Sequence, residues 1–590
     1  MRKLYFALCV ALAALACSKG TEQAGPDAAG PLAAPERLTI KGVTETSVTM
    51  QWDAVDGAQS YDCFVSSAAG DGRVTSSTRR NVTLDGLTAG TAYVFNVRAV
   101  AGERVSAWSK KEFTTEGTVP QDPQDQPTPP GPDQELQCVD APILLGFDKA
   151  PVLGTSGLIQ VFTADGTLVD KIDMKDYERV TLLSDGTMVP AGADADKGVI
   201  AITNDSPFHT FMDALHSTQY RLVHYTPLRI KGNKLEIKLH NGVLDFGKSY
   251  YLTMDASVCG EAVERADFTT KAKPAGTTLT VKPDDSADFC TVQGALSYAS
   301  TLGKDTAVTI EIGEGTYPEL LFLRNKDNVT LKGASRTGTV IAYPNNDSYE
   351  TGSGASVASV PALGAALGKS GGRCLFLVEN CDNLVLENLT IENTYSIPSH
   401  KGQAETLYFN DGSNARKLTI ENCSLISWQD TFLTKGLVWV HNSLIAGHVD
   451  YIWGYPKACL FEDCEIRSRA GGYIVQARIN AAADKGFVFL NCKLTAADGV
   501  ADGSMYLARS GGDATKYDNV TYVNCQMSPV IAPAGWFTKP APNPSAPTAT
   551  AGWKEYGTTG VSTASRNACG RILTEAEAEP YSSRAAVLGW

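Results

Sequence analysis

The chain has 590 residues, which is too long for one ordinary domain, and its 43% hydrophobic content is enough for several buried cores. Its formal net charge is −14 and it has no long run of Lys or Arg, which argues against nucleic acid as a partner. The same charge would not attract a polyanion from a distance, so an acidic polymer would have to be bound through local contacts in a cleft.

The N-terminal pattern predicts an export signal. A basic start precedes an apolar stretch over 4–16, which is too short to span a bilayer. The small residues before Cys17 resemble a bacterial lipoprotein signal over 1–16, which implies that Cys17 is lipidated and followed by a flexible tether over 17–32. An ordinary cleaved signal is the alternative. The interpretation is an exported bacterial lipoprotein, anchored by its lipid at the outer membrane or cell surface.

Residues 33–116 are predicted to form a small β-sandwich. Short runs alternate between apolar and polar residues and are broken by Gly and Asp. Trp52 is predicted to lie in the core, and Tyr93 follows a turn at the position of a tyrosine corner. The segment resembles a fibronectin type III domain, which implies a spacer or a weak binding module.

A Pro-rich linker over 117–136 precedes a second predicted sandwich. Alternation returns in residues 137–272, for which we predict an immunoglobulin-like β-sandwich. Cys138 and Cys259 flank this unit. Because export permits disulfides, these two residues are the best candidates for one.

A degenerate repeat fills residues 273–590. Short β-branched strands recur at intervals of 29, 20, 21, 28 and 33 residues, after a predicted amphipathic capping helix near 288–296. The six repeated positions are Asn393-Thr394, Asn422-Cys423, Asn442-Ser443, Asp463-Cys464, Asn491-Cys492 and Asn524-Cys525. This pattern predicts a right-handed parallel β-helix whose longer intervals carry loops. The predicted fold class is therefore all-β, with two β-sandwich domains before a β-helix.

Four of the 14 cysteines recur at the repeat register. They are Cys423, Cys464, Cys492 and Cys525. Such positions point into the interior of a β-helix, so we expect stacked, buried thiols that act as small apolar residues.

Two aspartates occupy the same place in successive repeats. Asp430 is eight residues past Asn422, and Asp450 is eight residues past Asn442. Equal offsets in adjacent coils place the two side chains on one face, one strand spacing or roughly 5 Å apart. Two carboxylates this close do not both ionise easily, so one should hold a proton while the other stays charged.

Eight segments of this region resemble those of pectin methylesterases in their order and spacing. They are Asp288-Phe-Cys-Thr-Val-Gln293, Gly315-Thr-Tyr-Pro-Glu319, Leu331-Lys-Gly-Ala-Ser-Arg336, Gly402-Gln403-Ala404-Glu405, Trp428-Gln-Asp-Thr431, His448-Val-Asp-Tyr-Ile-Trp-Gly454, Val475-Gln-Ala-Arg478 and Tyr506-Leu-Ala-Arg509. The resemblance implies an esterase that hydrolyses the methyl esters of homogalacturonan (pectin), without a cofactor or a metal.

The resemblance also implies a role for each matching residue. Asp450 matches the nucleophile, and Asp430 matches the general acid that later acts as a base. Gln403 and Gln429 match the amides that stabilise the tetrahedral oxyanion. Arg509 matches the arginine that pairs with the nucleophile, where its charge would keep Asp450 ionised and leave the proton on Asp430.

The sequence departs from the family pattern beside these residues. In the family the arginine is followed by Pro-Trp, and that tryptophan stacks on a sugar ring, whereas Arg509 is followed by Ser510 and Gly511. The family's tyrosine shortly after the acid is replaced by Leu433. These changes put the subsite preference in doubt, although they leave the reaction in place.

Four residues are candidates for substrate binding. Trp453 replaces the family's Phe and is expected to compensate for the missing tryptophan, with Tyr451 and Trp428 as further stacking candidates. A core position is the alternative for Tyr451. Arg478 either lines the groove or pairs with a neighbouring glutamate, Glu462 or Glu465.

Two other functions are alternatives for such a chain. A pectate lyase needs a calcium site with several carboxylates and a polygalacturonase needs three acids, but residues 403–454 offer one pair of aspartates and no third acid at matching register. A surface glycan-binding lipoprotein without activity is the other alternative. It is disfavoured because both aspartates, both glutamines and the arginine are present. We also expect the protein to be a monomer.

Overall fold

The computed structural model describes residues 32–67, 72–85, 87–101, 104–117, 136–182, 188–190, 199–201, 210–213, 220–223, 226–347, 350, 352–354, 372–395 and 402–590. The predicted signal, Cys17 and most of the tether and the Pro-rich linker lie outside these ranges. Within them, no helix has the length and apolar character needed to cross a lipid bilayer.

The first unit is a β-sandwich with two antiparallel sheets, β1-β2-β5 and β4-β3-β6-β7 with β8 against β6. Its strands are β1 (Thr39–Val43), β2 (Ser47–Gln51), β3 (Ser60–Ser67), β4 (Gly72–Ser77), β5 (Asn81–Asp85), β6 (Ala92–Ala101), β7 (Arg104–Val105) and β8 (Ser109–Thr114). Trp52 lies in the core, as predicted. The backbone N–H of Thr88 donates to the Tyr93 hydroxyl at 2.9 Å, which confirms the tyrosine corner.

The second unit is also a sandwich, because two antiparallel sheets, β11-β10-β19-β20 and β13-β12-β14-β17-β18-β9, share one core. A separate hairpin joins β15 and β16. The elements are β9 (Ile143–Gly146), β10 (Leu158–Thr163), β11 (Leu168–Asp173), β12 (Glu178–Leu182), β13 (Met188–Pro190), β14 (Val199–Ala201), β15 (Thr210–Asp213), β16 (Tyr220–Val223), β17 (Leu228–Lys231), β18 (Lys234–Ile237), β19 (Ser249–Met254), α1 (Ala256–Cys259) and β20 (Val263–Thr269).

The last unit is a parallel β-helix. Its strands are β21 (Thr278–Val281), β22 (Val308–Ile312), β23 (Gly315–Tyr317), β24 (Leu321–Arg324), β25 (Val329–Gly333), β26 (Thr339–Tyr343), β27 (Phe376–Glu379), β28 (Leu384–Glu387), β29 (Thr390–Asn393), β30 (Leu407–Asn410), β31 (Lys417–Glu421), β32 (Ser424–Ile426), β33 (Phe432–Thr434), β34 (Leu437–His441), β35 (Leu444–Gly454), β36 (Ala458–Glu462), β37 (Glu465–Ala477), β38 (Gly486–Leu490), β39 (Lys493–Ala496), β40 (Met505–Arg509), β41 (Val520–Val523), β42 (Gln526–Met527), β43 (Trp536–Phe537), β44 (Trp553–Tyr556) and β45 (Gly570–Ile572). Its helices are α2 (Val292–Thr301), α3 (Glu575–Ala578) and α4 (Arg584–Leu588). The predicted capping helix therefore begins after Thr291, whose hydroxyl accepts from Gly294 N.

The β-helix has three faces. The first is the sheet β21-β22-β25-β28-β31-β34-β36-β38-β41-β44-β45. The second follows β23-β26-β29-β32 and the third follows β24-β27-β30-β33, and both continue into β35 and β37, which run unbroken through the corner between them. After β37 the faces separate again into β39-β42 and β40-β43. This corner carries the chemistry described below.

A ladder of Asn and Asp residues ends the strands of the first face. Its members, Asn388, Asn422, Asn442, Asp463, Asn491 and Asn524, have φ angles between 47° and 56°. Short polar side chains tolerate this left-handed backbone, which turns the chain into the next face. Where adjacent coils stack, the side chains bond to each other, and Asn422 Nδ2 donates to Asn388 Oδ1 at 2.8 Å.

The ladder corrects the first member of the predicted repeat. The register from Asn422 onward is confirmed, but Asn388 and not Asn393 stacks on Asn422. The reason is that β28 and β29 follow each other closely and both are followed or ended by Glu-Asn, so the sequence alone does not tell which strand belongs to the first face.

The stacked thiols are confirmed. Cys423, Cys464, Cys492 and Cys525 are buried and unpaired by disulfides, and the sulfur of Cys492 lies beside those of Cys464 and Cys525. Burial raises the pKa of Cys423 to about 12. The four residues therefore act as small core residues of the β-helix.

The predicted disulfide between Cys138 and Cys259 is wrong. Cys259 ends α1 and its sulfur packs against Met254 Sδ at 3.9 Å in the sandwich core. Cys138 instead lies at the junction with the β-helix, where its sulfur is within 4.8 Å of the sulfur of Cys290. The two predicted partners face different cores, which their flanking positions in the sequence did not reveal.

The second sandwich docks on the N-terminal end of the β-helix. Asp140 accepts from the backbone N–H groups of Cys290 and Thr291 at 3.1 and 2.7 Å, at the start of α2. Arg221, on β16, is fully buried and donates to backbone carbonyls of the β-helix, including Leu321 O at 2.7 Å and Leu375 O at 3.1 Å. Asp140 and the separate β15–β16 hairpin therefore both bond to the β-helix.

Candidate active site

Asp430 and Asp450 lie side by side in adjacent coils at the corner between the second and third faces. Phe432 pairs with Ile452 in register, and Asp430 N donates to Val449 O at 3.0 Å. Both aspartates are in the left-handed backbone region, with φ of 65° and 48°, and only 3% and 4% of their surfaces are exposed. The equal offsets in the sequence therefore gave the correct juxtaposition.

The carboxylate of Asp450 is held by two neighbours from the following coils. Arg509 Nε donates to Oδ1 at 2.8 Å while its Nη2 donates to Oδ2, and Gln476 Nε2 donates to Oδ2 at 2.9 Å. The guanidinium also lies 4.6 Å from the centre of the Tyr473 ring. A two-point bond to Arg509 fixes both the charge and the orientation of Asp450.

The carboxyl of Asp430 has a different set of neighbours, from the preceding coils. Gln403 Nε2 donates to Oδ2 at 2.8 Å, and Arg373 Nη2 approaches the same oxygen at 3.3 Å. Arg373 is itself paired with buried Glu405, whose two oxygens accept from Nε at 2.9 and 2.8 Å. Asp430 thus faces a guanidinium whose charge is already shared with another carboxylate.

The two aspartates differ in their protonation. Burial raises the pKa of Asp430 well above its usual value, the charges of Glu405 and Asp450 raise it further, and Arg373 opposes them. Burial also raises the pKa of Asp450, but the hydrogen bonds and charge of Arg509 oppose that effect. The arrangement therefore favours a proton on Asp430 and a negative charge on Asp450.

Gln403 and Gln429 lie in neighbouring coils of the same corner, where backbone bridges link Gln403 to Gln429 and Gln429 to Val449. Both side chains are half-buried. The amide oxygen of Gln403 accepts from Arg373 Nη1, which turns its N–H groups toward the aspartates. The two amides can therefore present neutral donors beside the carboxyl pair.

The pectinesterase family model matches residues 278–587, which is more than half of the chain. This chain belongs to the pectinesterase family. A fibronectin type III model matches residues 33–115. Pectinesterases are carboxylic ester hydrolases, and a site built from two carboxyls and two amides is suited to that reaction.

Individual relatives give the extent of the similarity. Pectinesterase 31 of Arabidopsis thaliana is 29% identical over 259 residues, which cover 43% of this chain and 75% of that protein. Probable pectinesterase A of Aspergillus fumigatus is 32% identical over 324 residues, covering 54% and 86%. Among solved structures, pectin methylesterase PemA from Erwinia chrysanthemi aligns with a TM-score of 0.43 at 23% identity, covering 54% of this chain and 98% of that one.

The aromatic candidates of this pectinesterase have unequal access. Trp428 is half-buried, with the Arg469 guanidinium 4.0 Å from its ring centre. Trp453 is 7% exposed and lies under Arg478, whose guanidinium is 4.9 Å from the ring. Tyr451 is completely buried in the core, so its core alternative is confirmed and the predicted stacking on substrate is wrong. The residue follows outward-facing Asp450 in a strand, and successive side chains of a strand point to opposite sides.

Leu433 and Trp453 are neighbours in adjacent coils of the third face. Both depart from the family pattern, and Leu433 is buried. Leu433 is smaller than the family's Tyr, and Trp453 is larger than the family's Phe. Together the two changes keep the packed volume nearly constant, as a core without voids requires.

Arg478 acts on the site through Gln476. Its Nε donates to Gln476 Oε1 at 2.9 Å, which directs the amide N–H groups of Gln476 toward the nucleophile. The alternative pairing is excluded, because Glu462 accepts from the Trp439 indole and Glu465 pairs with Arg467. A Cβ at Gly511 would lie 3.4 Å from Arg478 Nε. The position of the family tryptophan therefore borders this arginine.

Glu405 corrects the prediction that no third acid lies at matching register. Glu405 is two residues before Leu407, just as Asp430 is two residues before Phe432, and Leu407 pairs with Phe432. The equal offset from the Asn ladder fails here because this coil carries extra residues between β29 and β30. Glu405 is fully buried behind Arg373, so it does not supply the substrate-facing third acid of a polygalacturonase.

Other site residues were missed by the sequence analysis. Gln476 stood inside a matched segment without an assigned role, and Arg373 stood in none. Tyr473, Tyr506 and Phe537 are half-buried and form an aromatic cluster beside Arg509, with ring centres 4.9 to 6.0 Å apart. The only sequence signal for the cluster was Tyr506, three residues before Arg509.

Proposed function

We propose that this protein is a pectin methylesterase that converts methyl-esterified homogalacturonan and water to pectate and methanol, with Asp450 as the nucleophile. The observation that carries the proposal is the buried pair of aspartates, one bonded to Arg509 and the other set to hold a proton. Ester cleavage through a carboxylate needs both forms at once, an anion to attack and an acid to protonate the alcohol.

In the first step, an oxygen of the Asp450 carboxylate attacks the carbonyl carbon of the methyl ester. The carbonyl oxygen becomes an oxyanion, which the amide N–H groups of Gln403 and Gln429 stabilise. As the intermediate collapses, the C–OCH3 bond breaks and the departing oxygen takes the proton of Asp430. Methanol leaves, and Asp450 remains joined to the sugar as an acid anhydride.

In the second step, Asp430 is ionised and takes a proton from a water molecule that attacks the anhydride carbonyl. Collapse of the second oxyanion breaks the bond to Asp450 and releases the galacturonic acid carboxyl group, which then loses its proton to the solvent. Asp450 regains its negative charge and Asp430 regains its proton.

We propose that the sugar rings stack on the aromatic cluster formed by Tyr473, Tyr506 and Phe537 and on Trp428. These residues are half-buried, whereas Trp453 is only 7% exposed. The cluster lies beside Arg509, next to the position where Gly511 replaces the family tryptophan. Aromatic faces at these positions would hold consecutive rings of the polymer.

The function is tested by methanol release from highly methylated pectin, with a chain that lacks residues 1–17 and with EDTA present. We expect methanol and acid to appear in equal amounts at a rate that EDTA does not change. Unsaturated products would indicate a lyase, and new reducing ends a hydrolase of the backbone. Binding of pectin without methanol release would support the glycan-binding alternative.

We propose that the protein is an exported bacterial lipoprotein, anchored by a lipid on Cys17 at the outer membrane or cell surface, and that it is a monomer. The support is the apolar stretch over 4–16 directly before Cys17. In a bacterial host, Cys17→Ala should abolish fatty-acid labelling and move the protein from the membrane to the soluble fraction. Unchanged membrane attachment would contradict the anchor. Sedimentation of the chain without residues 1–17 checks the monomer.

A further inference from the structure

A second buried charge pair lies directly behind Asp430. Arg373 and Glu405 are both buried and are joined by hydrogen bonds of 2.9 and 2.8 Å from one guanidinium nitrogen to both carboxylate oxygens. The other nitrogens of Arg373 reach the two groups of the proposed acid machinery, Asp430 Oδ2 at 3.3 Å and Gln403 Oε1. One side chain thus contacts both Asp430 and the amide that bonds to it.

The backbone around Arg373 is fixed from two sides. Gly372 O accepts from Arg221 Nη2 at 2.9 Å and from Asn345 Nδ2 at 3.0 Å. Cys374 O accepts from the same two side chains, at 3.1 Å from Asn345. Arg221 belongs to the separate β15–β16 hairpin, so that hairpin helps to hold the segment that presents Arg373 to the site.

The charges that face Asp430 form two compensated pairs. On the side of the following coil, Asp450 is bonded to Arg509. On the side of the preceding coil, Arg373 is bonded to Glu405, and its Nη1 also reaches the more exposed Asp347 at 3.1 Å. Arg509 thus bonds to Asp450, and Arg373 bonds to Glu405. Arg373 Nη2 lies 3.3 Å from Asp430 Oδ2, which is farther than the 2.8 Å between Arg373 Nε and Glu405.

Resting on the function proposed above, we propose that Arg373 and Glu405 are positioning residues that keep the catalytic proton on Asp430. Arg373 orients the carboxyl of Asp430 and the amide of Gln403. Burial raises the pKa of Glu405, but its two bonds to Arg373 Nε oppose this effect and favour the carboxylate. Ionised Glu405 then neutralises Arg373, which would otherwise stabilise the ionised form of Asp430 and withdraw its proton.

Elementary electrostatics give the direction of this effect. An uncompensated arginine within hydrogen-bond distance lowers the pKa of a carboxyl by about 1–3 units. A general acid that loses its proton near neutral pH no longer protonates the leaving methoxide. The negative charge of Glu405 raises the pKa of Asp430, whereas the positive charge of Arg373 lowers it. Because both charges are buried, solvent screens neither of them strongly.

The pH dependence of kcat tests the proposal. In Glu405→Gln, the alkaline limb should move to lower pH by about 1–2 units, so that kcat above that limb falls about 10-fold or more. KM and the acid limb, which reports Asp450, should change little. Arg373→Gln should lower kcat without moving the alkaline limb to lower pH, and the double variant should bring the limb back toward that of the wild type.

Glu465→Gln is the matched control, because Glu465 pairs with Arg467 on the same β-helix away from the aspartates. It should leave the profile unchanged. The proposal is overturned if Glu405→Gln keeps the wild-type alkaline limb, if the double variant is shifted as far as Glu405→Gln, or if Arg373→Gln moves the limb to lower pH.

A measurement without turnover separates this proposal from the proposed function. Infrared difference spectra should contain a protonated-carboxyl band that Asp430→Asn removes, and this band should disappear at lower pH in Glu405→Gln than in the wild type. The band can be titrated even if no methanol is released from pectin, in which case only the proposed function fails. Equal titration of the band in both proteins, with full methanol release, would overturn only the roles of Arg373 and Glu405.

Discussion

Asp450→Asn is expected to lower the rate of methanol release by about four orders of magnitude or more. The neutral amide is a poor nucleophile and cannot form the anhydride, while its shape still fits between Arg509 and Gln476. The left-handed backbone at this position, with φ of 48°, also accepts Asn. Initial rates on highly methylated pectin, beside the thermal unfolding midpoint, measure the effect on catalysis and on folding separately.

Asp463→Asn is the matched control for this substitution. Asp463 has the same residue type in the same backbone region, with φ of 53°, but it stands in the Asn ladder away from the site. We expect wild-type activity from it. If the Asp450→Asn protein folds and keeps more than about 1% of the wild-type rate, Asp450 is not the nucleophile.

Arg509→Gln is expected to move the acid limb of kcat/KM to higher pH by about 1–2 units. Burial already raises the pKa of Asp450, and the guanidinium is the main group that opposes this rise. Without it the carboxylate becomes protonated at higher pH, and the protonated form does not attack. Activity below the new pKa should fall about 10- to 100-fold and recover in part as the pH is raised toward the alkaline limb.

Arg467→Gln controls for the loss of an arginine from the same β-helix, because Arg467 pairs with Glu465 and touches neither aspartate. Its profile should match that of the wild type. Arg509→Lys should be intermediate, because it keeps a positive charge and loses the two-point bond. An Arg509→Gln enzyme with an unmoved acid limb would show that Arg509 does not set the ionisation of Asp450.

The sequence predicted the aspartate pair because the two coils that carry it have nearly equal length. Asn422 and Asn442 are separated by 20 residues, and the same interval separates Asp430 from Asp450. A β-helix keeps register when its coils contain no insertion, so an offset from the ladder becomes a position on a face. The same rule gave the stacked thiols beside the ladder.

The prediction failed where coils differ in length or strands resemble each other. Glu405 and Arg373 lie in coils that carry long intervals, so no constant offset links them to Asp430. Asn388 and Asn393 both follow a Glu in adjacent strands, so the repeat pattern does not separate them. Both a core and a substrate-facing position stayed open for Tyr451, because its place beside Asp450 does not state which side of the corner it faces.

The sequence by itself determined the parallel β-helix, the two sandwiches before it, and a carboxyl pair with an arginine, since these features depend on local alternation, period and matched segments. Only the tertiary structure decided that Glu405 bonds to Arg373, that Gln476 bonds to the nucleophile, and that Arg221 of the β15–β16 hairpin holds the segment around Arg373. Each of these contacts joins residues from different coils or different domains. Their distances depend on how loops and domains pack, and no repeat period encodes that packing.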